Sequence, residues 1–139
     1  MRLKRTRRTL ALFCLAIVPV IAMPAPVHAV VAATVPGSFT AGYATPTVFT
    51  RKGGPVTLVN GDVAPHTLTA MNAFLPRRIA RKTKRCAGRL TSCPLFTTKI
   101  VDSGESGDVS GLGRVKPGAQ YAFRCQIHST MRGTLIVSP

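Results

Sequence analysis

Residues 120–137 constrain the fold of this chain more tightly than any other stretch. In residues 120–125, Tyr121, Phe123 and Cys125 share one face and Gln120 and Arg124 the other, the period-2 pattern of a half-buried strand. Residues 134–137, Thr-Leu-Ile-Val, read as a second strand, short and apolar. A loop this short makes the two strands neighbours. Cys125 stands at the end of the first, Met131 at the start of the second and His128 at the tip, each separated by two residues. Gly133 leaves room for the chain to turn into the closing strand.

The rest of the chain repeats the strand rhythm. Residues 55–60 (PVTLVN) alternate, and residues 66–71 (HTLTAM) alternate again, with Leu68 and Ala70 on the His66 face. Residues 38–43 and 46–50 are short β-type runs, and residues 95–101 read as a further strand. Residues 30–37 read as a poorly ordered lead, and residues 102–113, rich in Gly and Ser, as loop. No long 3.6-period apolar stripe occurs in residues 30–139. Short strands between Gly/Pro turns therefore predict an all-β antiparallel sandwich. About 110 residues suffice for one such domain.

A thiol, an imidazole and a thioether in one tight loop form a ligand set. Cys, His and a weak axial Met, with one more His, hold copper in a blue-copper electron-transfer site. The second imidazole lies upstream in Asn60-Gly-Asp-Val-Ala-Pro65-His66-Thr67, where His66 opens a strand after a turn. Each residue alone has a plainer reading. Cys125 could be an inert core thiol, His128 a solvated loop residue, Met131 core packing and His66 a strand-end histidine. Their joint occurrence, with both histidines of residues 30–139 in place, favours one copper ion.

This pairing of an N-x4-P-H segment with a C-x2-H-x2-M loop resembles the cupredoxins, most closely amicyanin and more distantly plastocyanin. The resemblance implies a Greek-key sandwich spanning roughly residues 45–137. It also implies His66, Cys125 and His128 as a trigonal copper set with Met131 as the axial ligand, and a backbone N–H near Thr67 reaching the Cys125 sulfur. In the family the residue after the first His is commonly Asn, whose side chain ties the two ligand segments. Thr67 departs from that, which leaves the strength of the tie open. Asn60 is placed to brace the His66 turn, or is simply a turn residue.

Residues 72–95 break the rhythm with a basic insert. Arg77, Arg78, Arg81, Lys82, Lys84, Arg85 and Arg89 crowd together with no acid among them. Cys86 and Cys93 bracket its end. A disulfide closing a small loop is the expected reading; a metal-binding pair is the rival, without a spare His or nearby carboxylate to complete it. The charge has two readings, a solvated face or a docking surface for an acidic redox partner or an anionic envelope surface. Nucleic acid is disfavoured, since the chain lacks an aromatic or helical reader.

Residues 1–29 read as an export signal. Arg2, Lys4, Arg5, Arg7 and Arg8 precede an apolar run, and Val27-His28-Ala29 is a small-x-small cleavage site. Thr6-Arg7-Arg8-Thr9-Leu10 loosely resembles a twin-arginine signal, so general or twin-arginine export both stay open. Five of the 19 Lys and Arg fall in this segment and all four Asp and Glu beyond it, so residues 30–139 carry a formal charge of +10. The expected mature chain is a monomer without a transmembrane segment, exported to the periplasm, the cell envelope or the medium of a bacterium.

Four protein ligands leave no open position for a substrate, and no further paired histidines remain for an oxidase, so the expected protein is not an enzyme. It is a one-electron carrier, with the outward edge of His128 as the electron exit and Ala64, Pro65 and Ile127 as an apolar docking rim. The alternative is an extracytoplasmic copper-binding protein that sequesters or delivers the metal without a redox circuit.

Overall fold

The computed structural model describes residues 29–88 and 91–139. The expected export signal, residues 1–28 of it, and Arg89 lie outside the described residues. Among the described residues, seven strands form two sheets. β1 (Val30–Thr34), β3 (Val56–Asn60) and β5 (Ser106–Asp108) make one, in the order β1-β3-β5. β2 (Thr47–Thr50), β4 (Thr69–Ala70), β6 (Gln120–Arg124) and β7 (Arg132–Val137) make the other, in the order β2-β7-β6-β4.

The all-β two-sheet architecture agrees with the expectation, but the sheets are mixed. β1 runs parallel to β3 and β2 parallel to β7, while the remaining pairs are antiparallel. Up to β5 the chain alternates between sheets. β1 leaves its sheet for β2 and comes back as β3 in its original direction, which makes β1 and β3 parallel, whereas β5 returns beside β3 in the opposite direction.

Between the sheets lie the fully buried side chains of Leu58, Leu68, Phe96, Phe123, Met131 and Leu135. Each such side chain contributes roughly 1.5–3 kcal/mol through burial. In β6 and β7 the alternation holds: Phe123, Leu135 and Val137 point inward while Gln120, Arg124 and Arg132 face solvent.

Several local expectations are corrected. Residues 30–34 form β1, registered along β3 from Val30↔Val56 to Thr34↔Asn60. Residues 38–43 are not a strand: Ser38–Ala41 makes one helical turn, α1. The run at residues 66–71 keeps only β4 and isolated bridges from His66 to Val101 and from Thr69 to Thr97, because Thr67 turns its polar groups to the ligand loop. Residues 95–101 likewise make isolated bridges, Thr97 to Thr69 and to Ser110, and no strand. The stretch read as loop at 102–113 contains β5 and a 3-10 turn, Leu112–Arg114.

The basic insert carries α2 (Arg77–Ala80) and a 3-10 turn at Lys84–Cys86. The Cys86–Cys93 disulfide closes it, with the two Cα atoms 5.3 Å apart. Backbone bonds between Leu75 and Cys93 and between Leu95 and Ala73 stitch its two ends together.

Candidate metal centre

β6 ends at Arg124, and the next residue starts the loop that returns as β7. Across the loop's neck the Cys125 N–H donates to the Met131 carbonyl at 3.0 Å, and at its tip the Met131 N–H donates to the His128 carbonyl at 3.2 Å. These two bonds hold the C-x2-H-x2-M run as a compact hairpin end. Met131 and Cys125 are buried and His128 is half-buried.

His66 arrives from the opposite side. Its backbone exchanges both hydrogen bonds with Val101, at 3.0 and 2.9 Å, and its side chain is fully buried. The imidazole Nδ1 lies 3.8 Å from the Cys125 sulfur and 3.1 Å from His128 Nδ1, which lies 3.7 Å from the sulfur. All three atoms fall within 4.8 Å of one another. A trigonal first-row metal ion, with nitrogen at ~2.0 Å and sulfur at ~2.3 Å, would separate its ligands by about 3.5 and 3.7 Å. The donor set fits such an ion in chemistry and in spacing.

Asp62, which sequence reasoning passed over, sets the His66 ring. The His66 Nε2 donates to the Asp62 carboxylate at 3.0 Å, with both side chains fully buried. An ionised carboxylate only accepts, so the proton stays on Nε2 and Nδ1 turns its lone pair into the cluster. The same carboxylate accepts the backbone N–H groups of Gly37, Phe39 and Val63 at 3.1, 3.1 and 2.8 Å. Burial alone would raise this carboxyl, but the bonds from His66 and the three amides outweigh it and hold it below the ordinary range. The available signal was position: Asp62 is the one acid outside residues 102–108, four residues before a ligand-type histidine.

Asn60 is buried and fully used. Its Nδ2 donates to the carbonyls of Ala64 and Val101, and its Oδ1 accepts from the Asp62 N–H and the Thr34 hydroxyl. It therefore braces the turn that presents His66. Thr67 performs the tie that its identity left open. Its N–H points to the Cys125 sulfur at 3.4 Å, and its hydroxyl oxygen accepts the Gln126 N–H at 2.9 Å. The Tyr43 hydroxyl donates to the Thr67 carbonyl from below. Burial, and then proximity to Cys125, push this phenol far above its ordinary range, so it stays a neutral donor.

Several apolar side chains near the ligand segments in sequence are exposed. Ile127, Val63 and Pro65 are exposed, and Phe39, also exposed, sets its ring centroid 6.3 Å from that of His128. Sequence reasoning missed Phe39, which α1 delivers through the Asp62 bonds. In the insert, Arg77, Arg78, Arg81, Lys82 and Lys84 are exposed. Arg85 differs: its guanidinium donates to the carbonyls of Pro94 and Leu95 and to the Ser110 hydroxyl, so it fastens the insert to the body.

No family model and no curated protein matches the sequence. Solved structures do. Amicyanin from Paracoccus versutus aligns at 23% identity and TM-score 0.51 over 84% of this chain and 86% of that one. A reduced tryptophan-to-tyrosine variant of amicyanin aligns at 20% identity and TM-score 0.52, over 79% and 82%. A Cu(I) form of a methionine-to-alanine variant aligns at 19% and 0.51 over the same shares. The chain therefore has the amicyanin fold, the cupredoxin architecture that its ligand-loop pattern resembles.

Proposed function

We propose that the chain is an exported type 1 copper protein that carries single electrons and is not an enzyme. The observation that supports this most is the convergence of one buried thiol and two imidazole nitrogens within 4.8 Å. It stands on the fold of amicyanin, whose solved structures include forms described as reduced, oxidised and Cu(I). In this reading His66, Cys125, His128 and Met131 would together hold the copper ion. Bound copper supplies a one-electron couple between Cu(I) and Cu(II), which a soft thiolate, a thioether and imidazoles together tolerate.

The chain's own residues supply the rest. Asp62 fixes the His66 tautomer and ring angle, as a carboxylate partner does for metal-binding histidines. The Thr67 N–H stabilises charge on the Cys125 sulfur and so biases the potential. Burial of Cys125, His66 and Met131 keeps water and substrates away from the ligand atoms. His128, half-buried, is the exit toward a redox partner protein, with the exposed Phe39, Val63, Pro65 and Ile127 as docking residues. Export to a bacterial periplasm, envelope or medium accords with the basic residues 2–8 and the apolar run that follows them. Among the described residues no helix is long and apolar enough to cross a membrane.

Protein-film voltammetry together with chelator challenge tests the reading. An electron carrier gives a reversible one-electron wave and retains its copper against a Cu(I) chelator over many redox cycles. Rapid loss of copper to the chelator without a reversible wave would favour sequestration or delivery instead.

A further inference from the structure

We infer that the solvent face of the β4-β6-β7 sheet beside Cys125 is a docking groove for an acidic segment of a redox partner protein, an inference that rests on the electron-carrier reading. In the β6–β7 register Arg124 stands directly opposite Arg132, and both are exposed. Like charges directly opposite on an antiparallel ladder destabilise it. No carboxylate of the chain relieves this pair. Asp62 is buried against His66, while Asp102, Glu105 and Asp108 lie in and just before β5, in the other sheet. Among the described residues, Asp62–His66 is the only ion-pair geometry. Arg132 Nε donates to the Ser129 carbonyl at 3.5 Å, and both guanidinium groups remain exposed and open to an external anion.

The surface beside them is concave. A groove of ≈ 350 Å³ is lined by Thr69, Phe74, Ser92, Pro94, Arg124 and Gln126, among others. Phe74, 48% exposed, and Pro94 come from the two ends of the basic insert, joined by an isolated bridge. Arg77, Arg78, Arg81, Lys82 and Lys84 of the same insert are exposed. The recess thus offers the Arg124 guanidinium beside the apolar side chains of Phe74 and Pro94, on a sheet face and insert that are otherwise basic. That combination fits an extended acidic peptide segment carrying an apolar side chain. A lipid surface would instead be met by a protruding apolar patch. The location has a consequence for function. Arg124 and Arg132 are the chain neighbours of Cys125 and Met131, and the backbones of those two residues are directly bonded. A partner seated here approaches through the Cys125 side and leaves His128 free for a second partner.

The test is an NMR titration of the metal-free protein with a polyglutamate peptide, so its outcome does not depend on copper. The expected result is amide shifts at Phe74, Ser92, Arg124 and Gln126, weakening steeply from low to physiological salt. The Arg124→Gln/Arg132→Gln double variant should bind roughly three- to tenfold more weakly. Its thermal unfolding should be no less cooperative, since it removes a like-charge pair. Shifts confined to the insert tip at Lys82 and Lys84, or affinity unchanged in the double variant, would overturn the groove. Tighter binding to phosphatidylglycerol vesicles than to the peptide, independent of the two arginines, would overturn the choice of occupant. Peptide binding with no copper uptake would refute the electron-carrier reading alone, and a blue copper site with no peptide binding would refute the groove alone.

Discussion

Asp62 is the residue at which three parts of the molecule meet: the α1 turn through Gly37 and Phe39, its own turn through Val63, and the His66 imidazole. Replacing it with Asn removes the charge that fixes the ring tautomer. Copper affinity of Asp62→Asn, measured by competition with a chelator, should fall about 10- to 100-fold. Thr67→Val removes the oxygen that accepts the Gln126 N–H. It should cost about 1 kcal/mol in urea unfolding, and it should loosen the loop around Cys125. At this scale the ligand residues were legible because their types and spacing are unusual together. Asp62 and Phe39 were not, because a lone acid and a lone aromatic acquire meaning only when a turn carries them to the histidines.

The ladder between β6 and β7 carries the ligand loop, and it admits little change at Gly133. A Cβ there would lie 2.3 Å from the Phe123 ring and 2.6 Å from the Pro46 carbonyl. Gly133 is thus required by the aromatic side chain opposite it, beyond the turn for which the sequence suggested it. Gly133→Ala should destabilise by about 1–3 kcal/mol in denaturant unfolding, with broadened signals from the loop. The insert is a separate case. Removing the Cys86–Cys93 bridge by replacing both residues with Ala should cost roughly 2.5 kcal/mol. The metal centre should be left unchanged, because the bridge closes a loop outside it. β3, β6 and β7 were legible from alternation. β1 was not, because Val-Val-Ala-Ala-Thr has no polar beat and its order comes from parallel pairing with β3. Residues 95–101 alternate well enough, but tertiary bridges to both sides replace a continuous ladder.

Across the whole molecule, charge is segregated. The exposed acids lie in and just before β5, while the insert and the outer face of the ligand-bearing sheet are basic. The fold class was visible in the sequence because strand-length segments and turns alternate throughout. The mixing of parallel and antiparallel pairs was not, because it depends on which distant strands become neighbours, such as β2 beside β7. The visible absorption spectrum after addition of Cu(II), with Cys125→Ser alongside, reads out directly whether His66, Cys125 and His128 hold copper through the thiolate. A copper–thiolate site gives an intense blue charge-transfer band that reductant bleaches and the Ser variant lacks. A colourless protein that binds copper equally well with or without the thiol would rule out a blue-copper centre at Cys125.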